Sequence, residues 1–130
     1  MVDTLILARN RRVVVGAHPG YADLAGFGRR VIPMSDTAIQ RKVATQVGAL
    51  MGAAALAGVK IACVKVHGAL ANLAADDRAV ADAVFRAVPA VSRDLAVLAQ
   101  VLGLPKATVH RICSQLLDTG FIARDLNERD

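Results

Sequence analysis

Apolar residues recur along this 130-residue chain with two different periods, and the places where the period changes divide it into elements. Residues 3 to 10 read as the end of a short helix. Residues 12 to 16, "RVVVG", form a β-branched run closed by glycine, the pattern of a fully buried strand. A polar, glycine-rich stretch follows, and then "SDTAIQRKVATQVGALMGAAALAG" takes up helical spacing. Ser35 or Asp36 is placed to cap that helix, Ile39, Val43, Val47, Leu50 and Met51 mark one face, and Gly58 ends it. "VKIACVKV", residues 59 to 66, is a second strand-like run that stops at His67 and Gly68. After a further loop, Asp76 is placed to cap a helix with Val80, Val84 and Val88 one turn apart, which ends before Pro89.

Strand, loop, helix repeated twice predicts an α/β fold with parallel strands, two βα units that do not close a barrel by themselves. Both polar loops then fall at the C-terminal ends of their strands, where parallel α/β folds place their chemistry. The texture changes near residue 94, so the expected domains are 1–94 and 95–130. In the tail, Leu95, Leu98, Val101 and Leu102 give one apolar helix face, and Gly103 and Pro105 make a turn. Val109, Ile112, Leu116 and Leu117 give a second face that ends at Gly120, so the segment reads as a helix-turn-helix.

Composition narrows this picture. Aromatics are 3% of a chain that is 55% hydrophobic, so the core must be built from Ala, Val, Leu and Ile. At this length one hydrophobic core is feasible without disulfides, and Cys63 and Cys113 read as reduced thiols of a cytoplasmic protein. The early acidic residue and short apolar run of "MVDTLILARNRR" are in the wrong order for a secretory signal. The longest uncharged stretch, the 17 residues between Lys42 and Lys60, is shorter than the roughly 20 apolar residues of a membrane span. The net charge of +5 lies wholly in residues 1 to 60, with eight Lys/Arg against three Asp/Glu. The tail is balanced at four and four, so a DNA-binding reading of it draws nothing from the overall charge.

The candidate chemistry sits in the two loops. His18 and His67 each follow a predicted strand end, and neighbouring parallel strands would bring them together. Such a pair could act as general acid and base, or ligate a metal with Asp23 as a carboxylate partner. Each could equally serve only to hydrogen-bond its loop. Arg29 could clamp a carboxylate through two N–H groups, while Arg30 reads as a solvated charge. Lys65, two residues before His67, would share its side of a regular strand. The glycines of "GYADLAGFG" match neither the Walker spacing nor the dinucleotide fingerprint. In the tail, Lys106, Thr108, His110 and Arg111 fall in the first turns of the second helix, where such motifs contact DNA.

"VVVGAHPGYADLAGFGRR", the helix containing "QVGAL", and "VKVHGALANLAADD" together resemble the LamB/YcsF family, the A component of 5-oxoprolinase, from about residue 5 to residue 98. The resemblance implies an irregular β/α barrel that works with the B and C subunits of 5-oxoprolinase in the ATP-dependent opening of 5-oxoproline to glutamate. ATP would be used through those partners, and the metal, if any, is not identified. It implies that His18, Asp23, Arg29, Lys65 and His67 line a pocket at the barrel mouth. Val66 and Ala71 depart from the family, which has proline and tyrosine there. The match begins in what would be the helix after the family's first loop and leaves out more than half of the barrel, so catalysis by this chain alone is not expected. Residues 94 to 126, "LAVLAQVLGLPKATVHRICSQLLDTGFIARD" among them, resemble the helix-turn-helix of IclR-type transcriptional regulators, which implies DNA as an alternative partner.

Overall fold

The computed structural model describes residues 1–97. Helix α1 (Val2–Asn10) leads into strand β1 (Val15–Ala17), helix α2 (Asp36–Ala57), strand β2 (Ile61–Val64), helices α3 (Gly68–Asp76) and α4 (Arg78–Val91), and a short strand β3 (Ala96–Val97). The three strands form one parallel sheet in the order β1-β2-β3. This is an α/β fold with parallel strands and, among the described residues, four helices.

The first strand is shorter and less buried than the β-branched run predicts. Helix α1 closes with Arg12 in the left-handed region (φ 55°), its N–H bonded to Arg9 O at 3.0 Å and that of Val13 to Ala8 O at 2.9 Å. This is the Schellman arrangement with arginine in glycine's usual place. It draws Val13 into the helix end, and Val13 and Val14 stand 58% and 77% exposed. Pairing starts only at Val15, opposite Ile61, with an irregularity before Gly16 meets Cys63.

Helix α2 follows its sequence signals closely. Ser35 accepts a hydrogen bond from Ala38 N–H at 3.3 Å, and Gly58 closes the far end. Ile39, Val43 and Val47 are buried as the spacing predicts, whereas Leu50 and Met51 are half-buried. The buried stripe passes instead to Ala54 and Ala57. Alanine lets the last turns approach their neighbours closely.

A helix that the hydrophobic pattern did not separate from a loop, α3, occupies "GALANLAAD". His67–Gly68 reads as a stop, yet the residues beyond it are strong helix formers, and Ala69, Leu70, Ala71 and Ala74 are buried. Because α3 runs through Asp76, the cap of α4 is Asp77, which accepts from Ala79 N–H (2.8 Å) and Val80 N–H (3.4 Å). Helix α4 also continues through Pro89 to Val91. In the last turn the missing proline N–H removes only the bond to the residue four before it, and the Ser92 N–H still reaches Val88 O at 3.0 Å.

The core is aliphatic. Val43 and Val47 of α2, Val64 of β2 and Val84 and Val88 of α4 are essentially free of solvent contact. Cys63 is a half-buried free thiol. No described helix is long and apolar enough to cross a membrane.

The helix expected from about residue 95 is not what Ala96–Val97 adopt: they extend the sheet, opposite Cys63 and Val64. Backbone pairing with β2 outweighs the helical spacing of Leu95 and Leu98 there. The remainder of the predicted helix-turn-helix, with Lys106, Thr108, His110, Arg111 and Cys113, lies outside the described residues.

Removing two methyl groups from the centre of this core should destabilise the chain. Val84→Ala is expected to lower its stability by about 1–3 kcal/mol, read as a shift in the urea midpoint with an unchanged slope.

Candidate functional site

Parallel pairing does not stop where the regular strands do. Beyond them the Lys65 N–H donates to Ala17 O (2.7 Å) and the His67 N–H to Pro19 O (2.9 Å). The two chain segments therefore stay in step for one more pleat, and His18 and His67 emerge side by side. Their ring centroids lie 4.7 Å apart, edge to face.

All four ring nitrogens have partners. His18 Nδ1 lies 2.6 Å from Lys65 O, and His18 Nε2 lies 3.0 Å from His67 Nδ1. His67 Nε2 lies 2.7 Å from Phe27 O. The pair is thus held end to end between two backbone carbonyls. His18 is exposed and His67 half-buried, so the dyad opens to solvent at the C-terminal end of the sheet.

The glycine-rich loop builds the far side of this site. Asp23 is its organiser: 8% exposed, it accepts from Gly26 N–H (2.9 Å), from Arg30 Nε (2.9 Å) and from Arg30 Nη2. Its backbone carbonyl takes the Gly28 N–H at 3.0 Å. An aspartate turning back to the N–H three residues on is a local turn device, and the two-pronged arginine contact locks it. Arg30 accordingly holds the Asp23 carboxyl down at about 2; the Gly26 N–H acts in the same direction, while burial opposes both.

The locked loop turns through Phe27 (φ 53°) and Gly28 (φ 67°), both left-handed. That turn presents the Phe27 carbonyl to His67. It also brings the ring of Phe27 to 5.4 Å from that of His67 and the Arg29 guanidinium carbon to 5.8 Å from the Phe27 ring. Only glycine fits at 28, where a Cβ would sit 2.9 Å from His67 Cδ2. Gly68 (φ 57°) meets the same constraint from the other side, since its Cβ would overlap the Gly28 carbonyl oxygen. That oxygen instead accepts the Ala69 N–H at 3.0 Å, which ties the loop to the start of α3.

Of the residues singled out in the sequence, His18 and His67 meet directly, and Arg29 stands exposed beside Phe27 at the edge of the pair. The Lys65 contribution is its backbone carbonyl, while its side chain is exposed. Asp23 has both carboxylate oxygens committed to Arg30 and Gly26. Three further participants carry weaker signals. Arg30, read as a solvated charge, forms the ion pair. Gln46 of α2 clamps Gly20 from both sides, accepting its N–H (3.1 Å) and donating to its carbonyl (2.8 Å). Its place next to Val47, on the edge of the apolar stripe, is the only hint of this in the sequence. Phe27 contributes through its carbonyl, for which no side-chain signal exists.

The pair's ring nitrogens face each other and two carbonyls, and among the described residues no group of three or more His, Cys, Asp or Glu side chains is placed to hold an ion.

Comparison with known proteins gives this arrangement a setting. The pattern of the LamB/YcsF family matches residues 1–129. The chain belongs to the LamB/YcsF family. Among curated proteins it is 46% identical over 102 residues to the 5-oxoprolinase A subunit of Gluconobacter oxydans, a match covering 78% of this chain and 40% of that protein. The protein of the same name from Chloroflexus aggregans is 52% identical over 98 residues, 75% of this chain and 39% of the relative. The Chloroflexus aurantiacus protein is 43% identical over 121 residues, 93% and 48%. A solved structure, the lactam utilization protein from Thermus thermophilus, superposes with a TM-score of 0.78 at 35% identity over 88% of this chain and 44% of its own. This LamB/YcsF chain therefore spans rather less than half the length of the relatives it matches. The family match runs through the tail that resembles IclR-type regulators, and no comparison supports a helix-turn-helix segment there.

The Asp23–Arg30 pair should leave a mark on the acid limb of stability. The folded carboxyl is held at about 2, below its ordinary value near 3.9. Its stabilisation is therefore complete above about pH 4 and is lost as the pH falls toward 2. In urea unfolding across that window, D23N is expected to be less stable than the native chain at pH 5, and the difference should shrink toward pH 2.

Proposed function

We propose that this LamB/YcsF chain is a protein like the A subunit of 5-oxoprolinase, carrying a portion of the β/α barrel and taking part in the ATP-dependent hydrolysis of 5-oxoproline to glutamate. The observation that carries the reading is the histidine pair, held open to solvent at the C-terminal end of a parallel sheet by a loop whose geometry serves it. Relatives of known name and high identity supply the reaction class.

In this reading the central contact of the pair opens on substrate, and His18 Nε2 or His67 Nδ1 hands over the proton that opening a cyclic amide requires: the ring nitrogen must gain one as its bond to carbon breaks. Arg29, exposed beside the Phe27 ring that flanks His67, holds the substrate carboxylate, and Lys65 adds positive charge from the strand end. The Phe27 ring offers an apolar wall to the lactam ring. Asp23 works indirectly, by shaping the loop. ATP enters through the B and C subunits, and the assembly is cytoplasmic. No observation favours DNA contact by Lys106, Thr108, His110 and Arg111, and DNA binding forms no part of the proposal.

The test is glutamate release from 5-oxoproline with ATP and the two partner subunits present. Activity is expected only in the complete mixture. His67→Asn should cut kcat by about 100-fold or more, the usual scale for a lost acid–base group. Arg29→Ala should chiefly raise KM. Absence of glutamate release by the native chain in the complete mixture would overturn the proposal.

A further inference from the structure

The hydrogen bonds around the histidine pair can be counted in protons. A backbone carbonyl only accepts, so His18 Nδ1, 2.6 Å from Lys65 O, must carry a proton. For the same reason His67 Nε2, 2.7 Å from Phe27 O, must carry one. The contact between them, His67 Nδ1 to His18 Nε2 at 3.0 Å, needs one proton more on either nitrogen. That makes three. Two neutral imidazoles carry only two. Any arrangement of two protons leaves one of the three contacts as lone pair against lone pair, within 3.0 Å.

We infer that His18 and His67 form a three-proton pair, an imidazole and an imidazolium joined by an N–H···N bond and clamped between the carbonyls of Lys65 and Phe27, which presents a positive charge to an anionic ligand. This charge is additional to the formal +5, which counts histidine as neutral. The proton can sit on either central nitrogen without disturbing the outer two bonds, so the charge is shared along the pair.

The surroundings make that charge consequential. Arg29 and Lys65 are cations, and α3 begins at Gly68 with its positive end toward the pair. The carboxylate of the loop, Asp23, is already neutralised by Arg30. None of these groups compensates the pair. What retains the extra proton is the set of hydrogen bonds that only the protonated pair completes, together with the hydration left by its exposure. A site with this balance attracts a carboxylate from solution, and a carboxylate-bearing cyclic amide should bind where its neutral analogue does not. That use of the charge rests on the function proposed above; the proton count does not.

Nuclear magnetic resonance of the uniformly ¹⁵N-labelled full chain near neutral pH tests both parts without partner subunits or turnover. Scalar coupling across the hydrogen bond should link His18 Nε2 to His67 Nδ1, with both outer nitrogens at shifts of protonated imidazole nitrogen. The coupling shows two joined rings among the three histidines of the chain, and its persistence in His110→Gln assigns them to His18 and His67. Two ordinary neutral imidazoles without coupling would overturn the pair, whatever the enzyme assay shows. In a second arm, 5-oxoproline should shift these resonances and 2-pyrrolidone, the same ring without the carboxylate, should not. Equal shifts, or none with either, would overturn selection of an anion while the coupling still reported the pair.

Discussion

Two backbone hydrogen bonds that lie past the ends of regular strands organise the whole site. Because Lys65 N–H and His67 N–H continue the pairing with Ala17 and Pro19, residues 18 and 67 leave the sheet in register. Parallel strands make this economical: both C-terminal ends lie at one edge of the sheet, so side chains nearly fifty residues apart in sequence need no further device to meet. The central contact between the two rings follows from that register.

The loop supplies what register alone cannot. An imidazole pair open to water could rotate, and its outer nitrogens would then exchange one water for another. Asp23 and Arg30 remove that freedom by an indirect route, fixing the turn through Phe27 and Gly28 so that a carbonyl, an acceptor only, faces His67. The ion pair is thus structural in its immediate effect and chemical in its consequence, since it places a hydrogen-bond acceptor at His67 Nε2. Gly28 and Gly68 are required on opposite sides of the same gap, one for the ring and one for the backbone of its neighbour.

Helix signals read well from sequence where they were local. Ser35, Gly58 and the Ile39–Val43–Val47 stripe place α2 without ambiguity, because cap and periodicity act within a few residues. Helix α3 escaped because a histidine and a glycine that look like a strand's stop also begin a helix. The choice between the two depended on burying Ala69, Leu70 and Ala74 against the rest of the core. At Ala96–Val97 the helical spacing was outweighed by an open sheet edge, an influence that no local window contains.

The sequence by itself determined the α/β class, the two loops at strand ends and the pair of histidines, because each depends on residue type and short-range spacing. Resemblance in the loop and the second strand pointed to the LamB/YcsF family on the same residues. Only the tertiary structure decided that Asp23 belongs to Arg30, that Gln46 holds Gly20, and that the Phe27 carbonyl closes the histidine chain. These are contacts of the backbone or of groups whose partners could equally have been water. Their geometry exists only once the helices have packed and the strands have paired.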